Sequence, residues 1–205
     1  MTSQDPRPSA SGPPEVAQDA AGELDAPEEE ATPNAALYTL GVGDLLAEHL
    51  FRRLQWLDVE LVVDLRAPPF DLERLDVSPS AVAAALAPFE VEHLDLGAEL
   101  GAHKNTMGVR TRGRLDYRKL YRLEKVRDGL SRVAAALADG RRVCALGRDP
   151  SPGRCARARL LGRVLARRGF PVRHLNKFNA LATQRDVEDA IALTGDDPDL
   201  EAWPS

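Results

Sequence analysis

The chain has 205 residues, 43% of them hydrophobic, and its 27 basic and 32 acidic side chains leave a net charge of -5. That supplies a core for one domain with room for tails, and since no apolar run approaches the roughly 18 residues of a spanning helix, no membrane partner is expected. Cys144 and Cys155 are too few for a disulfide framework and lack paired zinc spacing, and the N-terminus has no basic-then-apolar signal layout, so the expectation is a reduced, cytoplasmic protein with neither metal nor cofactor.

Residues 1–35 are rich in Pro, Ser, Ala and acid and poor in large apolar side chains, which predicts a disordered acidic tail. From residue 36 short apolar runs alternate with longer helical stretches. Strands are predicted at 36–41, 59–66, 91–96, 142–147 and 171–175, and helices at 44–56, 79–88, 116–138, 152–168 and 179–194. Ser78 and Asp116 fit N-caps, and Gly140 and Gly169 fall just past helix ends where a left-handed stop is wanted. A domain over 36–194 follows, with an acidic tail over 195–205. Its fold class is α/β, a three-layer α/β/α sandwich with a mostly parallel sheet of about five strands.

Ligands of such sheets bind beyond the C-terminal strand ends. After the first strand, LGVGDLL lacks the third glycine of a dinucleotide loop, and Asp44 reads as a helix cap. After the second, VVDLRAPPF sets Asp64 and Arg66 two apart on one strand face. They either pair with each other or project at a ligand. The connection 97–115 carries four glycines with Lys104, Arg110, Arg112 and Arg114; loops of that length are usually functional or mobile.

The net charge conceals a strong asymmetry. Residues 103–185 contain twenty-two basic and five acidic side chains, while both ends and residues 37–102 are acidic. Such a division points to nucleic acid or another polyanion. The strongest local signal is GRDPSPGR at 147–154, a tight turn before a helix, where Arg148, Arg154 and Arg157 offer forked donors to an anion. An ordinary strand-to-helix connection with solvated arginines is the competing reading. Arg159, Arg163 and Arg167 form a stripe at helical spacing which, with Arg118, Arg122 and Lys125, suits a phosphate backbone. The nearby rings are limited to Tyr117 and Tyr121, so base stacking is weakly indicated. Cys144 lies within a strand, as an inert thiol would. Cys155, flanked by Arg154 and Arg157 in the first turn of a helix, is a candidate nucleophile.

LYTLGVG, LVVDLRAPP, HLDLGAELG, LDYRKLY and the run from VCALGRDP to VRHL together resemble the family called domain of unknown function 488, over about residues 37–176. Tyr38, Thr39 and Gly41 match its first-strand motif, and Asp64, Arg66 and Pro69 its second. Its fourth-strand motif, C-A-E-x-D-P-x-x-C-H-R, survives in part. With Asp149 and Pro150 aligned, Ala145 and Gly147 stand at the Cys and Glu positions, Ala156 replaces the His, and Cys155 and Arg157 match after a two-residue insertion. The resemblance implies the α/β fold and these positions but no defined reaction.

Three functions remain open at this level. One is a non-catalytic binder of nucleic acid or a phosphate-rich ligand through the 103–185 region and the strand-end loops, a pseudoenzyme. The second is an enzyme acting on a nucleotide or nucleic acid at a cleft of Asp64, Arg66, Arg148 and Cys155. The third is a protein-interaction module whose basic face meets an acidic protein.

Overall fold

A computed structural model describes residues 35–43, 45–68, 76–101, 108–111 and 113–195. The expected tails, apart from Ala35 and Gly195, lie outside the described residues, as do Asp44, Pro69, Lys104 and Arg112.

The first predicted strand is β1 (Ala36–Gly41), buried along its whole length. It is followed by α1 (Ala47–Trp56), β2 (Leu61–Asp64), α2 (Pro79–Leu86), β3 (Glu92–Asp95) and a single turn, α3 (Gly97–Leu100). Within the long basic connection the chain forms a small antiparallel hairpin, β4 (Arg110–Thr111) and β5 (Arg114–Leu115). Next come α4 (Tyr117–Tyr121), α5 (Glu124–Ala138) and β6 (Arg142–Gly147), and then α6 (Arg163–Arg167), preceded by a π-helical stretch, Arg157–Gly162. β7 (Val172–Leu175), β8 (Leu181–Thr183) and α7 (Gln184–Leu193) complete the order.

Six strands form the main sheet in the order β3-β2-β6-β1-β7-β8, parallel except for the last pair. Strand alternation divides its side chains between two cores. Leu37, Val63, Val143 and Val172 pack with Leu130, Val133 and Leu165 of α5 and α6, while Tyr38, Leu40, Val62 and Leu146 pack with Leu50, Leu54 and Val82 of α1 and α2. This is the expected α/β sandwich, and no helix among the described residues is long and apolar enough to cross a membrane.

Ser78 accepts from the Ala81 amide and Asp116 from the Arg118 and Lys119 amides, so both predicted caps form. Gly140 and Gly169 adopt φ of 84° and 87°, as left-handed stops. Three expected helices differ. That expected over 152–168 is interrupted at Cys155, which is extended at φ -142° and ψ 176° after a short turn over Pro152–Arg154, so Cys155 stands before the helical stretch that begins at Arg157 rather than in a first turn. The single helix expected over 116–138 is broken because Leu123 turns extended, with ψ 132°, to pack into the core. The helix expected from residue 179 begins at Gln184, where Thr183 and Asp186 form a capping box. The preceding residues pair as β8 through a tight turn in which the Asn176 side chain accepts from the Phe178 and Ala180 amides.

A polar seam lies on the sheet face of the first core, where Thr39 follows Leu37 and His174 follows Val172 in the strand alternation. His174 on β7 is buried, with Nδ1 2.7 Å from Thr39 Oγ1 and Nε2 2.8 Å from Gln184 Oε1. Because the Gln184 amide nitrogen donates to Ala158 O and Glu188, its oxygen must accept from His174 Nε2-H. The ring is therefore neutral, with Nδ1 accepting from Thr39. Burial pushes its pKa down to about 4, helped by Arg157 and opposed by Gln184 and Glu188. An unfolded His takes up its proton near pH 6.5, so this seam contributes fully above that value and is lost as pH falls toward 4. Urea unfolding should show on the order of 3 kcal/mol of stability disappearing over that window, and His174→Gln should flatten the acid limb.

Candidate functional site

β6 is flanked by β2 and β1, whose following helices pack on one face, whereas the chain leaving β6 crosses to the other. Loops that part in opposite directions leave a crevice at the C-terminal strand ends, the usual ligand position in such sheets. Two glycines meet there, Gly41 ending β1 and Gly147 ending β6, directly paired in register. A Cβ on Gly147 would lie 2.5 Å from Arg157 Nε, and one on Gly41 would lie 2.6 Å from Pro150 Cα and 2.9 Å from Arg157 Nη2. The absent side chains make room for the guanidinium of Arg157, which lies between the glycine pair and Asp149-Pro150.

Arg157 has no exposed surface. Its Nη2 donates to the Asp149 carbonyl, and its Nε to Cys155 Sγ at 3.2 Å. Nη1 is buried without a hydrogen-bond partner. No carboxylate among the described residues pairs with it, although a buried charge normally requires one. The geometry therefore places a fixed positive charge and an unpartnered donor at the strand ends, beneath the loop after β6 and closed to solvent, a chemistry suited to an oxyanion.

Cys155 is half-buried, and its thiol faces Pro152 O at 3.6 Å. Among the described residues no imidazole is hydrogen-bonded to it; His174 has both nitrogens engaged. Cys144 is wholly buried, and burial pushes its thiol up to about 12 against the opposing charge of Arg157. It is an inert core thiol, as its place within the strand suggests.

Asp64 and Arg66 behave differently from Arg157. Their side chains form a fork, Nε to Oδ1 at 2.8 Å and Nη2 to Oδ2 at 2.5 Å, and Arg66 Nη1 also donates to Val77 O. Asp64 is fully buried and Arg66 nearly so. Burial raises the Asp64 carboxyl, but hydrogen bonds and charge from Arg66, with His93 at 3.6 Å, outweigh it and hold the group below the ordinary carboxylate range. This pair ties the end of β2 to the approach of α2. Among the described residues no hydrogen bond or ion pair links it to Arg157, so the two motifs are separate centres.

The expected arginine stripe does not form on the surface. Arg163 is 1% exposed, with Nε 2.8 Å from Glu188 on α7, and Arg159 is half-buried with Nε donating to Gly153 O. The π-helical turn shifts the register from the regular i+4 spacing, and α7 covers this face through Val187 and Ile191 against Ala158. Arg148 and Arg154 are exposed at the loop, Arg154 lying 3.9 Å from Asp149. Arg110, Arg114 and Arg122 are exposed and Arg118 half-buried; they belong to the hairpin and the short helix that precede α5 at this same edge of the sheet. Arg141 and Arg142, at the opposite edge, are engaged by Glu92, Asp58 and Glu60. No group of three or more His, Cys, Asp or Glu among the described residues is arranged to hold a metal.

Arg53 and Phe178 join this edge without having stood out in the sequence. Both depend on the β7-β8 turn, since Arg53 Nη2 donates to Lys177 O at 3.1 Å and Phe178 occupies the tip. In comparisons with known proteins, no family model, curated protein or solved structure matches this chain. The family resemblance rests on its motifs alone.

Removing one partner of a closed, buried ion pair strands the other. Asp64→Ala should lower unfolding stability by about 3 to 5 kcal/mol, whereas the joint change Asp64→Leu with Arg66→Met should lose much less. Chemical denaturation of both variants separates a structural pair from one held open for a ligand.

Proposed function

We propose that this chain binds a phosphate-bearing ligand, a nucleotide or nucleic-acid strand, at the C-terminal edge of its parallel sheet. The observation that carries this reading is the buried Arg157 guanidinium, which among the described residues has an unpartnered Nη1 and no carboxylate partner. A phosphate oxygen accepting from Nη1 supplies the missing negative charge while Nη2 stays on the Asp149 carbonyl. Arg148 and Arg154 stand outside the same loop and extend the positive field toward solvent. Arg110, Arg114 and Arg122 continue it along the edge, toward further phosphates.

The reading is of a binder rather than a catalyst. The Asp64-Arg66 fork is closed on itself and on Val77, and among the described residues no imidazole bonds Cys155. Ala145, Gly147 and Ala156 fall where the resembling family carries Cys, Glu and His, in keeping with a pseudoenzyme. Two unbridged cysteines suit a reducing cytoplasm, where such ligands abound.

Fluorescence anisotropy with a labelled single-stranded oligonucleotide tests the reading. Affinity should fall steeply between about 50 and about 200 mM salt. Arg148→Ala with Arg154→Ala, both on the exposed loop, should reduce the logarithmic salt slope by about two. Arg157→Lys, which keeps the charge and loses the fork, should weaken binding in a protein that still folds. No binding, or binding insensitive to salt and to the loop variants, overturns the proposal.

A further inference from the structure

On the other side of the strand ends from Arg157, separated from it by Gly41 and Pro150, lies a cavity of about 200 Å³. Its walls are Leu40, Val42, Leu45, Pro150 and Leu175, with Arg53, Asn176 and Lys177 at the β7-β8 side. Arg53 is half-buried, and its one hydrogen bond is to the Lys177 carbonyl. Burial lowers its pKa, and no carboxylate among the described residues pairs with it. Among the described residues it is, with Arg157, a second guanidinium at this edge of the sheet that no carboxylate pairs.

Phe178 directly follows Lys177, which lines this cavity, and is 77% exposed. Its position is fixed by the turn: the Asn176 carboxamide binds two amides, Asn176 N donates to Ala180 O, and Asn179 takes φ 62°. Lys177 Nζ sits 4.8 Å from the ring centroid, leaving a ring polarised by a cation and otherwise open to solvent. A large exposed ring on a well-braced turn gains little for folding, yet it provides a stacking platform beside positive charge.

We infer that the cavity and the Phe178 tip form a nucleobase subsite next to the phosphate site, so that the ligand is a single-stranded nucleic-acid segment. This inference rests on the phosphate-binding reading above and specifies its partner. The volume supports a partial guest: drug-sized ligands need about 300 Å³ or more, whereas one base of a strand, entering beside Phe178, needs less. The apolar walls meet the base, and Arg53 and Lys177 meet its flanking phosphates. Duplex DNA cannot offer an unstacked base there. A cavity of about 260 Å³ at the opposite sheet edge, between Phe51 and Phe89, has Asp58 as its one charged lining residue and does not suit a polyanion.

The test is a competition in anisotropy among three probes compared at equal phosphate concentration: an oligothymidine of about ten nucleotides, an abasic strand with the same phosphates, and a duplex of about ten base pairs. Oligothymidine should bind about tenfold or more tighter than the abasic strand, and the duplex should resemble the abasic strand. Phe178→Ala should erase the preference while leaving abasic binding intact, and Phe89→Ala, another exposed ring on the far edge, should change neither. Equal binding of oligothymidine and the abasic strand overturns the base subsite and leaves the phosphate site standing. Loss of binding to all three removes the phosphate site and this inference with it.

Discussion

A guanidinium taken out of water loses several kcal/mol of solvation that only hydrogen bonds and opposite charge restore. Arg157 is held in that condition at the centre of the sheet's C-terminal edge, and the surrounding structure is shaped to hold it. The facing pair Gly41 and Gly147 clears the volume it fills, and the loop after β6 turns the Asp149 carbonyl onto it. The π-helical turn that carries it is fastened from behind by Gln184, which bridges Ala158, Glu188 and His174. A Cβ on either glycine would displace the guanidinium or the loop.

The contrast with Arg66 shows why burial alone does not make a site. Both arginines leave the same sheet edge and both are removed from solvent. Arg66 meets Asp64 in a two-pronged fork and the Val77 carbonyl with its remaining arm, so its charge and donors are used within the protein. Arg157 meets a carbonyl and a thiol, neither of which carries the full negative charge of a carboxylate. The first arrangement stabilises a loop. The second leaves the charge without a carboxylate among the described residues, which is the ground for the proposed ligand.

The sequence conveyed the layers well and the site unevenly. Strand alternation and turn residues placed five of the six sheet strands, and Ser78, Asp116, Gly140 and Gly169 marked real helix ends, because caps and left-handed stops are local. The GRDPSPGR entry lies, as its place after a strand required, at the C-terminal edge of the sheet. Which arginines face solvent was not legible, since that depends on α7 folding back over Arg163 and on a π turn that breaks the expected spacing. Arg53 and Phe178 were equally hidden: residues 53 and 178 share an edge only after β7 pairs beside β1 and the Asn176 turn sets the tip. The capping pattern from Thr183 to Asp186 was the overlooked local cue that the last helix begins late and leaves room for that turn.

An uncompensated cation at the strand-end crevice is the centre of this account, and the most direct measurement is a high-resolution crystal structure grown from pyrophosphate. The account predicts an anion with an oxygen within hydrogen-bond distance of Arg157 Nη1, and the loop around Asp149 and Pro150 closed over it. It is contradicted if Arg157 Nη1 is bonded to a protein carboxylate or carbonyl and the anion binds elsewhere or not at all.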